Sequence, residues 1–326
     1  MKRMTRKNDR FYPFLTAGRY SRLFLRCIPG VAVFMIMSAA YPSGRGADEA
    51  GINAETAVIA DAETGKVLYA KNPDKRFPPA STAKLMTAII AVENMPLTQE
   101  IVPSGKVLQV EPTIAGLRPG VRYKLEDLLA AILIKSSNDA AFAIAEAVAG
   151  SEKKFAVMMN AKAKELGMEN TYFVTASGLP TGKKDRQYTT ATDLVRMMLH
   201  ARGCKVILEN MSKREAYIRG DDNRKIYLKT HNKSLLKNES APWGKTGYTK
   251  EARRTFVGID ASFEPRIAFA LLKSTDLWND IEKLNDIGLE LHERNKKNFV
   301  SDIVDWIKGQ RHKGKNESLE LCGATR

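Results

Sequence analysis

Ser81-Thr82-Ala83-Lys84 sets a hydroxyl three residues before an amine. On a helix, positions i and i+3 share a face, so the Lys84 amine can reach the Ser81 hydroxyl. A serine is a weak nucleophile until a base takes its proton, and a neutral lysine can be that base. The same spacing recurs at Ser151–Lys154 and Ser234–Lys237. Ser151 follows Gly150 and reads as a helix N-cap. Ser234 has no setting comparable to that of Ser81, which lies between Pro78-Pro79 and Leu85-Met86 at a buried helix start.

Ser136-Ser137-Asn138 falls in a break between two helical stretches. Its hydroxyl and carboxamide can face one cleft, one to relay a proton and the other to bind a substrate amide. Taken alone, a helix cap with Asp139 next in line is the plainer reading. Lys245-Thr246-Gly247 precedes a strand-like segment. A fixed cation and a hydroxyl there can hold a carboxylate, and Gly247 would admit a substrate backbone. A loop glycine beside a surface lysine is the plainer reading. Each motif is weak by itself; the three together carry much more weight.

These residues need elements to hold them. Thr56–Asp61 and Lys66–Lys71 are β-rich runs joined by a turn ending at Gly65, which is expected at positive φ. Phe77-Pro78-Pro79-Ala80 can continue neither strand nor helix. Pattern predicts helices over Ser81–Glu93, Leu125–Lys135, Asp139–Val148 (closed by Gly150), Ser151–Gly167 and Leu194–Ala201. Strands return at Glu215–Ile218, Lys225–Leu228, Thr255–Asp260 and Arg266–Lys273, and a helix at Asp276–Glu293. Strands at both ends with helices between them predict an α+β fold whose N- and C-terminal strands share one antiparallel sheet.

The 326 residues fit one or two domains, and no apolar run reaches the ~18 residues of an ordinary transmembrane helix. Cys27, Cys204 and Cys322 are too far apart for a disulfide scaffold or a Cys-rich zinc site. His200, His231, His292 and His312 are scattered, and no HExxH occurs. No metal and no cofactor are expected, and a His-dependent triad has few candidates.

The net charge of +15 is unevenly placed. Residues 1–40 carry eight Lys/Arg against Asp9 alone, and the apolar Cys27–Ala40 ends in the small residues Ser38-Ala39-Ala40. That reads as a secretory signal peptide, with an uncleaved anchor as the alternative. The remaining charge lies in clusters such as Lys183-Lys184 and Arg253-Arg254 that lack interleaved aromatics, so no nucleic-acid partner is expected. Solvated lysines explain the clusters; diffuse attraction to an anionic envelope is the functional reading. Near the C-terminus Phe299, Val300, Ile303, Val304 and Ile307 recur at helical spacing beside Trp306. Such a stripe can pack on a core or lie in a membrane interface. Packing is the expectation, because Asp302 and Asp305 would repel anionic lipid.

In series, the three motifs match the S-x-x-K, S-D-N and K-T-G set of class A β-lactamases and penicillin-binding proteins, with Ser137 in place of Asp. The chain resembles the serine-type D-alanyl-D-alanine carboxypeptidases, the low-molecular-mass penicillin-binding proteins of the peptidase S11 family. The resemblance runs from about Ala54 to about Leu291. It includes Val58-Ile-Ala-Asp-Ala-Glu-Thr-Gly65, Pro79-Ala-Ser-Thr-Ala-Lys-Leu-Met-Thr87, Ser136-Ser-Asn-Asp-Ala-Ala141, Leu166-Gly-Met-Glu-Asn-Thr171, Ser177-Gly-Leu-Pro180 and Lys245-Thr-Gly-Tyr-Thr249.

The resemblance implies a serine β-lactamase/penicillin-binding-protein-like fold, an antiparallel sheet flanked by helices with a helical subdomain. It implies removal of the terminal D-alanine from peptidoglycan stem peptides ending in D-Ala-D-Ala, through an acyl-enzyme on Ser81, and acylation by β-lactam antibiotics. Carried over by motif, Ser81 is the nucleophile, Lys84 its base, and Ser136 the relay to the leaving amine. Asn138 binds the acyl-side amide, and Lys245 and Thr246 hold the terminal carboxylate, with Gly247 beside them. The backbone N–H groups of Ser81 and Tyr248 form the oxyanion hole. The implied organisation is a signal peptide over 1–40, a DD-peptidase catalytic domain over 41–293, and a C-terminal amphipathic helix with a basic tail over 294–326. The protein is expected outside the cytoplasm, in the periplasm or on the extracytoplasmic face of the membrane, with peripheral membrane contact through the C-terminal helix as the alternative to packing.

Two features depart from the family pattern. Glu251-Ala252-Arg253-Arg254 stands where small residues are usual. The residues after Leu291 are too few for the C-terminal β-domain of many relatives. Rival functions differ in what they require. A class A β-lactamase would add an E-x-x-L-N segment, which Glu165-Leu-Gly-Met-Glu-Asn170 does not fit. A non-catalytic wall-binding protein would be expected to lack Ser81 or Lys84. A DD-endopeptidase acting on cross-links uses the same chemistry and stays open.

Overall fold

The computed structural model describes residues 51–181 and 186–321. The expected leader, 1–40, lies outside the described residues. The chain opens with β1 (Thr56–Asp61) and β2 (Val67–Lys71), an antiparallel hairpin. Its turn is set by Asp61, whose carboxylate accepts from the Thr64 amide at 2.8 Å, and by Gly65 at φ 72°. A 3-10 turn over Ala80–Thr82 leads into α1 (Ala83–Asn94). Then come the two-residue strands β3 (Glu100–Ile101) and β4 (Tyr123–Lys124), followed by α2 (Leu125–Leu133), α3 (Asn138–Ala149) and α4 (Glu152–Glu165). Next are α5 (Ala191–Ala201), α6 (Lys205–Ser212), the hairpin β5 (Glu215–Arg219) and β6 (Lys225–Lys229), and α7 (Lys233–Lys237). The chain closes with β7 (Trp243–Thr249), β8 (Arg253–Ile259), β9 (Ile267–Ser274) and α8 (Leu277–Leu321).

The main sheet runs β2-β1-β9-β8-β7, with every pair antiparallel. The first and last strands therefore share one sheet, and the fold is α+β as expected. Successive strand side chains point to opposite faces, and β9 uses both. Ile267, Phe269 and Leu271 pack with Leu277, Ile281 and Leu284 of α8, while Ala268, Ala270 and Leu272 join the larger core of helices α1 to α6. Strand β7 forms one edge of the sheet.

Several local signals act as their chemistry demands. Gly150 ends α3 at φ 76°, and Ser151 caps α4 by accepting from the Lys154 amide. The second S-x-x-K is thus a cap. Ser234 is buried in α7, and its hydroxyl has no hydrogen-bond partner.

Other expectations need correction. Lys245-Thr246-Gly247 lies inside β7 rather than before a strand. Helices α6 and α7 and the short strands β3 and β4 were not anticipated; none is long enough to show a period. The β5–β6 hairpin stands apart from the main sheet. Helix α8 passes unbroken through the expected boundary at residue 293. Phe299 is 66% exposed, against the expected packing of its stripe. The side chains of Val300, Ile303, Val304, Trp306 and Ile307 lie outside the described residues.

Candidate active site

Ser81 does not start the α-helix; it sits in the 3-10 turn just before it. The residue on its N-terminal side, Ala80, holds φ 48°, a left-handed conformation that is costly for a residue with a Cβ. Three contacts keep the turn in place. Thr82 Oγ1 donates to the Pro79 carbonyl at 2.6 Å. A Cβ on Gly178 (φ 78°) would fall 1.8 Å from the Ala80 oxygen, and one on Gly247 would fall 2.9 Å from the Ser81 amide nitrogen. Gly247 therefore makes room for the turn that carries Ser81, a different use from the substrate clearance expected of it.

Lys84 lies in the first turn of α1 with its side chain fully buried. Its Nζ is 2.9 Å from Ser81 Oγ and donates to the Ser177 carbonyl at 2.8 Å. The Ser177 segment is itself anchored. Thr87 Oγ1 donates to the Ala176 carbonyl, the Ala176 amide donates to Glu152, and the Leu179 amide donates to Ser177 Oγ. Burial pushes the Lys84 amine well below the usual lysine range, and the Lys245 cation pushes the same way. The Asp139 and Glu152 carboxylates oppose that shift. A neutral amine beside the Ser81 hydroxyl is thereby made accessible.

Ser136 stands between α2 and α3 at φ 63°, another left-handed non-glycine. Lys245, buried on β7, donates from Nζ to Ser136 Oγ at 2.9 Å and to the Thr246 carbonyl at 2.7 Å. Burial brings its pKa down to about 7. Asn138 opens α3. Its amide donates to the Thr113 carbonyl and its Nδ2 to the Glu111 carbonyl, while Oδ1 is buried without a partner. An orphaned acceptor of this kind costs free energy unless something donates to it. Thr246 is half-buried and Tyr248 is exposed on the same strand, Tyr248 opposite Arg254.

The expected residues thus form two amine–hydroxyl pairs, Lys84–Ser81 and Lys245–Ser136, with Gly247 packed against the first. Sequence reasoning missed the parts that hold them. Asp139, read as a cap, does bond the Ala140 amide, but its buried carboxylate also accepts from the amides of Ala115, Gly116 and Leu117. It thereby fastens the loop beside Asn138. Gly178 was visible only within a family-like string; its need for positive φ arises from a contact distant in the chain. Among the described residues no group of His, Cys, Asp and Glu could hold a metal ion.

Residues 43–274 match the model of a family described as D-alanyl-D-alanine carboxypeptidase. The chain is 31% identical to D-alanyl-D-alanine carboxypeptidase DacF of Bacillus subtilis, over 92% of this chain and 78% of that one. It is 32% identical to a D-alanyl-D-alanine endopeptidase of Pseudomonas aeruginosa, over 62% of this chain and 65% of that one. The crystal structure of a D-alanyl-D-alanine carboxypeptidase from Mycobacterium tuberculosis superimposes with a TM-score of 0.68 at 31% identity, covering 73% of this chain and 91% of the other.

Proposed function

The chain belongs to the D-alanyl-D-alanine carboxypeptidase family, a serine DD-carboxypeptidase that acts on peptidoglycan peptides and is acylated by β-lactams, and on that premise we propose how its residues divide the reaction. Ser81 attacks the carbonyl of the penultimate D-alanine, and neutral Lys84 takes its proton. The backbone N–H groups of Ser81 and Tyr248 receive the negative charge that develops on the carbonyl oxygen. Ser136, held by Lys245, relays a proton: it gives its own to the departing D-alanine nitrogen and takes the one that Lys84 had accepted from Ser81, which leaves Lys84 neutral. Water then attacks the acyl carbonyl as Lys84 takes its proton, and that proton returns to Ser81 Oγ as the acyl–oxygen bond breaks and the shortened peptide leaves.

Asn138 Oδ1 accepts an N–H of the bound peptide, which supplies the partner it lacks. Lys245 and Thr246 hold the terminal carboxylate. The observation that carries this reading is the 2.9 Å approach of a fully buried lysine amine to Ser81 Oγ. The test is D-alanine release from a stem pentapeptide, with and without Ser81→Ala. A cross-linked peptide dimer in the same assay tests endopeptidase action, the activity named for the Pseudomonas relative.

The substrate lies in the wall, and residues 1–40 carry the composition of a secretory leader. The mature protein is therefore the catalytic domain from residue 41 onward, outside the cytoplasm. N-terminal sequencing should return a start near Tyr41; a start at Met1 would mean an uncleaved anchor. Among the described residues no helix is long and apolar enough to cross a membrane. The far end of α8 gives a peripheral membrane contact, a reading supported by the exposed Phe299.

A further inference from the structure

The β5–β6 hairpin has one face in the core and one in water. Ile218, Ile226 and Leu228 are buried. The outward face presents three cross-strand pairs, Glu215 opposite Lys229, Tyr217 opposite Tyr227, and Arg219 opposite Lys225, and all six residues are exposed. One pair on that face supports the hairpin and yet stays largely open to water, and another works against it. Tyr217 and Tyr227 are 66% and 42% exposed, and their ring centroids are 5.2 Å apart. Arg219 and Lys225 are like charges directly opposite each other, an arrangement that weakens a hairpin. Among the described residues no carboxylate pairs with Arg219, Lys225 or Lys229. Two exposed tyrosine rings, Tyr227 donating its hydroxyl hydrogen to Glu215, stand beside three cations that make no ion pair among the described residues, Arg219 donating only to the Asn223 side-chain oxygen; together they form a surface for a ligand with apolar ring faces and negative charges.

The hairpin is fastened to the rim of the cleft. The Arg224 guanidinium donates to the Gly116 carbonyl, and Asp222 pairs with Arg118 at 3.1 Å. Asp221 accepts from the Arg122 amide at 3.0 Å. The Gly116 amide in turn donates to Asp139 at 2.8 Å, one residue from Asn138. The face is therefore held at a fixed position relative to the site.

We propose that the outward face of β5–β6 docks the glycan strand of peptidoglycan. Pyranose rings stack on Tyr217 and Tyr227, whose electron-rich faces attract the polarised C–H groups of a sugar. Arg219, Lys225 and Lys229 pair with carboxylates of the stem peptides that the strand carries. This rests on the proposed function, because the peptide in the cleft is attached to that strand. A bilayer fits the face less well: the hairpin tip, Gly220-Asp221-Asp222-Asn223-Arg224, bears two carboxylates and no large apolar side chain.

The test uses the full chain acylated with penicillin, so that the cleft is blocked, and measures its binding to purified sacculi. Tyr217→Ser with Tyr227→Ser should weaken binding at least tenfold, while Tyr217→Phe with Tyr227→Phe should retain it. Arg219→Gln with Lys225→Gln should weaken binding and flatten its salt dependence. All variants should be acylated at the wild-type rate, which shows that they are folded. Wild-type binding by the Ser double variant would overturn the proposal. So would sacculus binding that persists while binding to phosphatidylglycerol vesicles is lost. Absence of D-alanine release by the wild-type protein would count against the catalytic reading alone, since sacculus binding can be compared in Ser81→Ala without acylation.

Discussion

Gly178 and Ala80 touch through their backbones: a Cβ on Gly178 would lie 1.8 Å from the Ala80 oxygen and 3.0 Å from Ala83 Cβ. Ala80 precedes Ser81 and Ala83 follows two residues after it, so this contact sets where the proposed nucleophile sits. Gly178→Ala must shift that turn, and it also places a side chain at φ 78°. A misplacement of about 1 Å can cost about 10²-fold in rate. Stopped-flow acylation by a chromogenic β-lactam should slow by about that factor. An unchanged rate would mean that the turn is not held from this side.

The three S-x-x-K serines should behave differently. Ser81→Ala should abolish both D-alanine release and labelling by a fluorescent penicillin. Ser151→Ala removes a cap, so it should cost about 1 kcal/mol of stability and leave labelling intact. Ser234→Ala removes a buried hydroxyl that has no partner, and should change neither activity nor stability by much. Undiminished labelling of the Ser81→Ala protein would sink the assignment.

On the proposed mechanism the two buried amines, Lys84 and Lys245, predict a two-sided pH profile. If Lys84 is the base as proposed, acylation needs it neutral, so kcat/KM should rise with pH on the acid side, through the lowered Lys84 pKa. The carboxylate contact proposed for Lys245 needs it charged, so kcat/KM should fall as pH rises through about 7. Stability should move the other way on that basic side. Above about 7 the folded Lys245 is neutral, while the unfolded chain keeps its proton up to the ordinary lysine range, near 10.5. The unfolded state then binds more protons, so stability rises with pH by up to ~1.4 kcal/mol per unit. Denaturant melts from pH 7 to 9 should show that slope, and Lys245→Met should remove its share.

Asp139 carries a loop on one carboxylate, with four amides donating to its two oxygens. Asp139→Asn replaces an acceptor with an NH2 group that faces an N–H. Hydrogen bonds to a charged group are worth roughly 1.5–3 kcal/mol each, so the melting midpoint should fall by several degrees. The loop also bonds Asn138, so KM for the pentapeptide should rise. A variant with wild-type stability and KM would remove Asp139 from this role.

What was legible in the sequence followed from local chemistry. The β1–β2 turn, the Gly150 stop and the Ser151 cap each depend on a few adjacent residues, and all were read correctly. The Lys84–Ser81 pair was readable because three residues separate its members, although a 3-10 turn rather than an α-helix delivers the serine. The Lys245–Ser136 bond joins residues 109 apart, and no local pattern encodes it. The same holds for Gly178 against Ala80, and for Asp139, three of whose four amide partners lie more than twenty residues upstream. These long-range contacts are also the ones that fix the geometry of the site.

Helix α8 changes character along its length. Leu277, Ile281 and Leu284 are buried against the sheet, and a Cβ on Gly288 would meet Ile267 at 2.6 Å. His292 Nδ1 lies 2.8 Å from Asp61 Oδ2. From Lys296 to Phe299 every residue is exposed. Deleting residues 296–326 should therefore leave the melting midpoint within about 2 °C, given that 1 kcal/mol moves a domain of this size by roughly 2–4 °C. Gly288→Leu, in contrast, should lower it sharply. The truncated enzyme should also lose binding to phosphatidylglycerol vesicles while keeping full activity on the soluble pentapeptide. A fall of more than about 5 °C on truncation would instead place the stripe from Phe299 onward against the catalytic domain.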